Sequence, residues 1–429
     1  MKPLDEHQSQ RTPLIALLAS YGTVHSGVLL MMIALPWFVL ETTGSASRTG
    51  IATAVHGIPM VFAGIFGGVI VDRLGFRRTA IISDFMSAAA FGMIPLLHLT
   101  VGIEFWQLLV FVFIGAAFDT PGFTARLSMM PDIAHRAGVR LERANSISQT
   151  LSQSSILLAP AMAGILIGFI GASPVLWISC GLFVISSIAV MSFVPADAIA
   201  RESETQPGNQ YLNELKRGMS FLFNTKVVLA LMMSVTMIQF LRANLMVILP
   251  VYAHDFFASA SQFGFMFAAT GAGGLISSVL YAVWGHRWPR RPIILIGVSS
   301  LMFPFWLLAA TPPFWVILAV LFVVGFLGGP MIPLVFTLLQ ERTPSGLRGR
   351  VFGLYDAGMF AAMVPGRLMA GYLIEWTSIV QTLLIVGSSY LLAVLAIARN
   401  PHLHSLGPDE DKQPADVSGT QTSAEQTAR

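Results

Sequence analysis

The stretch GGVIVDRLGFRR, residues 67–78, places an Asp and three Arg side chains within Asp72–Arg78, between long apolar runs. Each flanking run is about 20 residues long, which is the length of an α-helix that crosses a hydrocarbon core of about 30 Å. Of 429 residues, 55% are hydrophobic and 11% are charged, whereas soluble domains carry about 25% charged residues. Because a segment in lipid must satisfy its own backbone hydrogen bonds, this composition predicts an all-α polytopic membrane protein.

Apolar runs bounded by charges or by Pro and Gly turns predict twelve transmembrane helices. We place these spans at 14–40, 49–71, 79–100, 105–127, 144–170, 173–194, 227–253, 262–284, 293–310, 313–339, 351–374 and 378–398.

The distribution of basic residues predicts the orientation of the spans. All but three of the 25 Lys and Arg fall in the terminal segments or in the loops on the side of the N-terminus, and the exceptions are Arg48, Arg242 and Arg367. Because Lys and Arg concentrate in cytoplasmic loops, both termini are expected in the cytoplasm.

The chain divides into two similar halves. Residues 1–194 form a predicted N-terminal six-helix bundle and residues 227–398 a C-terminal one. They are joined by a cytoplasmic linker, 195–226, with a predicted amphipathic helix, and a polar tail, 399–429, is expected to be disordered.

A spacing repeated in both halves supports this division. Arg143 precedes the pair Ala163-Gly164 as Arg350 precedes Ala370-Gly371, and in each half the Gly follows the Arg by 21 positions. Two pseudo-symmetric six-helix bundles are typical of transporters, in which the bundles rock about a central site.

Several other classes of protein are disfavoured. The basic residues lie in short loops, not on one face, so nucleic-acid binding is not expected. The single cysteine, Cys180, cannot form a disulfide or a Cys-based metal site within one chain. The sequence contains no nucleotide-binding P-loop, zinc-binding H-E-x-x-H or nucleophilic G-x-S-x-G motif. We therefore expect a protein that is not an enzyme, is monomeric, and needs no cofactor or metal.

Residues 68–78 resemble the loop 2–3 signature of the major facilitator superfamily, G-x-x-x-D-R-x-G-R-R. Phe76 departs from it where a basic residue is usual. The resemblance implies that this motif latches the two halves in one conformation, although an ordinary positive-inside turn remains an alternative. The matching residues are Gly68, Asp72, Arg73, Gly75, Arg77 and Arg78.

Other stretches are similar to the drug–proton antiporter branch of this family, which contains macrolide, multidrug and enterobactin exporters. In span five, LAPAMAGIL (158–166) is similar to the antiporter motif G-P-x-x-G-G, with Ala159 and Ala163 replacing two glycines. Pro160 and Gly164 are retained, which predicts a bend and close helix packing. The further matching stretches are LPWFVLETTGSASRTG (35–50), ISDFMSAAAF (82–91), PDIAHRAGVRLERANSISQ (131–149) and TPSGLRGRVFGL (343–354).

Ionisable residues within spans are functional candidates because a charge in the membrane is energetically costly. Asp119 is the first candidate for proton coupling, because the resemblance implies that span four faces the central cavity. His25 and His56 are the next candidates, with a hydrogen-bonded helix contact as the alternative for each. Asp84 and Asp356 are expected to pair with loop arginines.

A second set of polar residues is predicted to line the substrate cavity. Arg242 and Arg367 have no acidic residue close by on their own helices, which favours an anionic substrate. An ion pair across helices is the alternative for both. The complete set is Gln149, Gln153, Gln239, Arg242, Asn244 and Arg367.

The leading hypothesis is a carrier of the bacterial inner membrane that exports a drug, a siderophore or another metabolite by alternating access, driven by the proton gradient. Proton-coupled uptake, a sensor that no longer transports and an intramembrane enzyme remain alternatives.

If residues 68–78 act as a latch, Asp72→Asn should strongly reduce transport while the protein still reaches the membrane. Export of a fluorescent drug such as ethidium from cells, normalised to protein in the membrane fraction, measures this. Transport at the wild-type rate by Asp72→Asn would exclude the latch.

Overall fold

The computed structural model describes residues 4–195, 208–284, 288–344 and 347–403. These residues form sixteen α-helices and no β-strand. The N-terminal half contains six of them: α1 (Leu4–Thr43), α2 (Ala46–Leu74), α3 (Phe76–Thr100), α4 (Phe105–Arg136), α5 (Leu141–Ile170) and α6 (Ala172–Phe193).

The C-terminal half follows a helix of the linker, α7 (Gly208–Asn224), so the expected linker helix is present. Its Gly218 packs on Arg350, because a Cβ placed there would lie 3.0 Å from the Arg350 Cβ. The later helices are α8 (Lys226–Ala243), α9 (Leu245–Phe257), α10 (Ala260–Trp284), α11 (Arg290–Ser300), α12 (Met302–Ala309), α13 (Phe314–Gly328), α14 (Met331–Arg342), α15 (Arg348–Trp376) and α16 (Ile379–Arg399).

These helices form the expected twelve spans. Eleven helical segments in the described part are long and apolar enough to cross a membrane, and the 29-residue α2 supplies the remaining span. Since the number of spans is even, both termini lie on one face of the bundle. We call this the terminal face and the opposite one the far face.

Three spans of the C-terminal half are interrupted, which the sequence did not predict. Span seven changes from α8 to α9 at Asn244, whose side-chain amide donates to the carbonyls of Phe240 and Leu241. Span nine breaks at Leu301, shortly before Pro304, and span ten breaks at Gly329-Pro330. A proline has no N–H to donate and therefore weakens the preceding turn.

Spans five and eight join the halves near the far face. A Cβ built on Gly164 of α5 would lie 2.7 Å from the carbonyl oxygen of Ala260 and 2.8 Å from the Cα of Gly264, both on α10. Since real Cβ atoms do not approach backbone this closely, only glycine permits the contact.

Spans two and eleven make the equivalent contact. A Cβ on Gly371 of α15 would lie 2.8 Å from the carbonyl oxygen of Ala46 and 3.2 Å from the Cα of Gly50, both on α2. In the spacing that the two halves share, Gly371 occupies the position that Gly164 has in the first half. The sequence repeat therefore corresponds to a repeated contact between the two halves.

Hydrogen bonds at the far face extend the contact between spans two and eleven. Ser45 Oγ donates to Glu375 Oε1 across 2.5 Å, and the backbone N–H of Ser47 donates to the same oxygen across 3.4 Å. Glu375 belongs to the C-terminal half but caps the first turn of α2 in the N-terminal half. The described inter-half contacts thus close the far face.

Gly164→Leu should oppose this closure, because the added side chain meets backbone atoms that move only if the halves separate. Overpacking of this kind costs about 1–3 kcal/mol, which would reduce the closed population about 5- to 150-fold. The distance between spin labels attached at Thr43 and Thr377, measured by electron paramagnetic resonance in a Cys180→Ser background, should therefore increase.

Gly181→Leu is the matched control, because a Cβ on Gly181 meets no atom within 4 Å. The distribution of label distances in Gly181→Leu should equal that of the labelled protein without a glycine substitution. Unchanged distances in Gly164→Leu would show that this contact does not hold the far face closed.

Candidate functional site

Close packing of α3 on α4 brings a set of polar side chains together inside the N-terminal half. A Cβ on Gly122 of α4 would lie 2.8 Å from the Cβ of Ser83 on α3, and one on Gly115 would lie 2.6 Å from the Phe91 ring. Gly115 and Gly122 are two helical turns apart and so share one face of α4.

A fully buried ion pair lies at this contact. Arg126 of α4 is 0% exposed and Asp84 of α3 is 3% exposed, and the Arg126 guanidinium donates to the Asp84 carboxylate. Arg126 also donates to Ser20 Oγ of α1 at 2.8 Å, to Ser186 Oγ of α6 at 2.9 Å and to its own helix at the Gly122 carbonyl. Four helices therefore share this charge.

Asp119 lies two turns before Arg126 on the same face of α4. Its Oδ1 is 3.0 Å from Ser87 Oγ, which also lies 2.9 Å from the carbonyl oxygen of Gly115. Asp84 precedes Ser87 by one turn of α3, so these four side chains share the contact between α3 and α4. We call Asp84, Ser87, Asp119 and Arg126 the charge cluster.

A second polar group connects α1 with α5. His25 Nε2 lies 3.0 Å from Ser152 Oγ, and the rings of His25 and Tyr21 both lie against Phe123, one turn after Asp119. His25 thus has the helix contact that the sequence left as an alternative. On α5 towards the terminal face, Gln149 is exposed and Gln153 is partly exposed.

His56 and Arg367 meet between α2 and α15. The His56 ring stacks on Phe91, and Arg367 Nη1 lies 3.5 Å from the position of a Cβ on Gly57, the next residue. Arg367 is 5% exposed and donates through Nη1 to the carbonyl of Thr53. Arg367 was expected in the central cavity. Instead it lies in the contact between the halves, because α2 and α15 pack closely enough to cover it.

The remaining cavity candidates lie on span seven. Arg242 is exposed and Gln239 partly exposed, and among the described residues no carboxylate oxygen lies within 4.0 Å of Arg242. The charge of Arg242 acts on the Tyr390 hydroxyl of α16. Asn244 was expected to face the cavity. Its side chain is 0% exposed, because its amide binds carbonyls of its own helix.

The predicted latch is described only in part. Gly68, Asp72 and Arg73 lie outside the residues whose side chains are described. Gly75 adopts φ +81° before α3, as the turn requires. Arg77 donates to the carbonyl of Met191 on α6 at 2.5 Å, and Arg78 is exposed.

Pro160 lies within α5, which continues to Ile170, and its carbonyl oxygen faces Gly264 of α10. The small residues predicted around it do permit close packing, and the partner is the other half of the protein. Among the described residues, no group of three or more His, Cys, Asp and Glu is arranged to hold a metal ion.

Arg126 is a site residue that the sequence did not predict. The pattern of charges places it with the basic residues of loop 4–5, but α4 continues to Arg136 and Arg126 is buried within it. The glycines of GAAFDTPG, residues 115–122, were the available signal for close packing at this level of the helix.

Twelve spans in two matched halves, joined across a closed far face and containing a buried charge cluster, define a polytopic membrane transport protein. The sequence profile of the Major Facilitator Superfamily matches residues 17–241 and 231–424. The chain belongs to this family.

Relatives and a solved structure agree with this assignment. The chain is 30% identical to the "Multidrug efflux pump Tap" of Mycolicibacterium fortuitum over 411 residues, which cover 93% of this chain and 98% of that protein. It is 25% identical to the "Macrolide efflux protein A" of Streptococcus pyogenes over 378 residues, 86% of this chain and 90% of that protein. The crystal structure of the nucleoside transporter NupG matches the fold, with TM-score 0.74 and 13% identity over 93% of this chain and 100% of that one.

Proposed function

We propose that this protein exports small drug-like molecules across the bacterial inner membrane in exchange for protons. The observation that carries the proposal is the position of Asp119, a partly buried carboxyl that bonds Ser87 and lies two turns before an ion pair that is already neutral. Similarity to the multidrug pump along 93% of the chain supports export as the direction of transport.

This carboxyl suits reversible proton binding. Because Arg126 and Asp84 neutralise each other, a charge on Asp119 would have no counter-ion of its own and would be costly in the bundle interior. Asp119 therefore binds a proton in the state described and releases it when the cluster gains access to water. This exchange couples the gradient to the conformation.

The contacts between the halves support alternating access. With both termini in the cytoplasm, the closed far face is the external one, so this state is open to the cytoplasm. The exposed polar side of α5 near the terminal face, which includes Gln149, then faces the entry path. Drug molecules enter from that side and leave after the glycine contacts at the far face separate.

Arg242 gives the substrate site a preference for anions. It is the exposed arginine near the middle of span seven, and no acid pairs with it among the described residues. A cation in this position would bind a carboxylate, a catecholate or a phosphate on the substrate. Siderophores that carry such groups remain among the proposed substrates.

Asp119→Asn should abolish pH-driven accumulation, because the amide binds no proton, while substrate exchange without a gradient continues. Accumulation of ethidium or labelled erythromycin in acid-loaded proteoliposomes measures the first activity, and counterflow measures the second. Asp119→Glu, which keeps the acid, should retain coupling. Unchanged pH dependence in Asp119→Asn would exclude Asp119 as the proton carrier.

Arg242→Gln should weaken transport of an anionic dye such as fluorescein more than that of neutral chloramphenicol. A hydrogen bond to a charged group contributes about 1.5–3 kcal/mol, so the anion should lose roughly ten- to a hundredfold in apparent affinity. The neutral drug should change less than about threefold, since it makes no such bond.

Arg367→Gln is the matched control for this experiment. Because Arg367 is buried between the halves, its loss should affect both substrates equally. Equal loss of both substrates in Arg242→Gln would contradict an anion-binding role for Arg242.

A further inference from the structure

We propose that Asp84 and Arg126 are positioning residues for proton binding at Asp119: Arg126 pairs with Asp84 while Asp119 is protonated, and pairs with Asp119 after it releases its proton. This inference rests on the proposed proton coupling at Asp119. It adds to that function a specific exchange of ionic partners, which neither the fold nor the relatives assign.

The contacts of Ser87 suit a proton on Asp119. Ser87 Oγ lies within donating distance of two acceptors, 2.9 Å from the Gly115 carbonyl oxygen and 3.0 Å from Asp119 Oδ1. A hydroxyl has one hydrogen to donate, so Ser87 shares it between these acceptors while Asp119 is ionised. A proton on Asp119, donated to Ser87 Oγ, would give each contact a hydrogen of its own.

The balance of charge leads to the same state. The cluster contains one cation and two carboxyls, and Arg126 donates directly to the carboxylate of Asp84. With Asp119 protonated the net charge is zero, and with Asp119 ionised it is −1. A buried net charge is costly, so loss of the proton requires Arg126 to serve both acids or to change partner.

The geometry allows such a change. Arg126 and Asp119 are seven residues apart on α4, two turns along the same face. The guanidinium holds its present position through Ser20, Ser186 and Gly122. The two acceptors on α1 and α6 are serine hydroxyls, so a rotation of these side chains would release the guanidinium towards Asp119 while the helices stay in place.

The proton is conserved in this step. The O–H bond of the Asp119 carboxyl breaks, its electron pair stays on the carboxylate oxygen, and the proton passes to water. The guanidinium keeps all its protons, because arginine does not deprotonate in proteins, and only its hydrogen-bond partner changes.

Other titratable groups face Asp119 from the neighbouring helices. From α1, His25 and Tyr21 lie against Phe123. From α2, His56 stacks on Phe91, whose ring lies against Gly115. From α5, Ser152 contacts His25 and does not titrate in this range. From α3 and α4, the charges that act on Asp119 among the described residues are those of Asp84 and Arg126.

Two variants should move the pH dependence of transport in opposite directions. In Asp84→Asn, Arg126 has only Asp119 as a counter-ion, so Asp119 should stay ionised to lower pH. In Arg126→Gln, Asp119 loses its nearby cation while the Asp84 carboxyl remains close by, so Asp119 should stay protonated to higher pH. Each midpoint should move by about one to three pH units, the range produced by a neighbouring opposite charge.

The experiment measures ethidium accumulation in acid-loaded proteoliposomes over a pH series, with ethidium counterflow as the measure of intact binding. Opposite shifts with counterflow retained support the partner exchange. If both variants show the wild-type midpoint of the pH dependence of transport, the ion pair stabilises the fold without affecting proton binding at Asp119, and the inference is overturned. No gradient-driven accumulation by the wild-type protein would instead reject the proposed coupling itself.

Infrared difference spectroscopy of purified wild-type protein tests the inference if a cluster variant does not fold. The band of a protonated carboxyl, assigned by its loss in Asp119→Asn, should disappear as pH rises. The guanidinium bands should shift at the same midpoint. Guanidinium bands that stay constant while Asp119 titrates would overturn the inference without any measurement of transport.

Discussion

The ion pair between Arg126 and Asp84 imposes the strongest constraint on the N-terminal half. A guanidinium without contact with water has to be neutralised and given acceptors, and α1, α3, α4 and α6 all contribute to this. Removing one partner of such a pair typically costs about 3–5 kcal/mol, so the register of these helices is fixed by it. Asp119 belongs to the same arrangement, which ties the carboxyl proposed to bind protons to the packing of the whole half.

The contact between the halves follows a different rule. It contains few charges and depends on backbone approaching backbone, at Gly164 against Gly264 and at Gly371 against Gly50. Besides packing, this surface is held by the buried hydrogen bond from Arg367 to the Thr53 carbonyl and by the exposed hydrogen bonds of Glu375, so few polar contacts have to break when it separates. A rigid charged interior within one half and a separable apolar seam between the halves are what alternating access requires.

Much of this arrangement could be predicted from residue patterns. Apolar run length gave twelve spans, and the repeat around Gly164 and Gly371 identified equivalent positions in the two halves. Arg126 was not predicted as a buried residue, because the length of an apolar run shows where a helix can cross lipid but not where that helix ends. The burial of Arg367 depends on the pairing of α2 with α15, and a side chain's neighbours across helices are not encoded in its own helix. The breaks near Asn244 and Leu301 were not predicted either, because the polar residues and Pro304 in these spans do not by themselves show where a helix is interrupted.

Those breaks make the two halves mechanically unequal. Spans one to six are each a single helix, whereas spans seven, nine and ten are divided at Asn244, Leu301 and Gly329-Pro330. Each interruption removes hydrogen bonds that resist bending. We therefore expect elastic deformation to concentrate in the C-terminal half, while the N-terminal half, which contains the charge cluster, turns as a stiff lever. Under the proposed coupling, protonation in the rigid N-terminal half would produce a rotation of that half, and the more flexible C-terminal half would adapt its shape to substrates of different size.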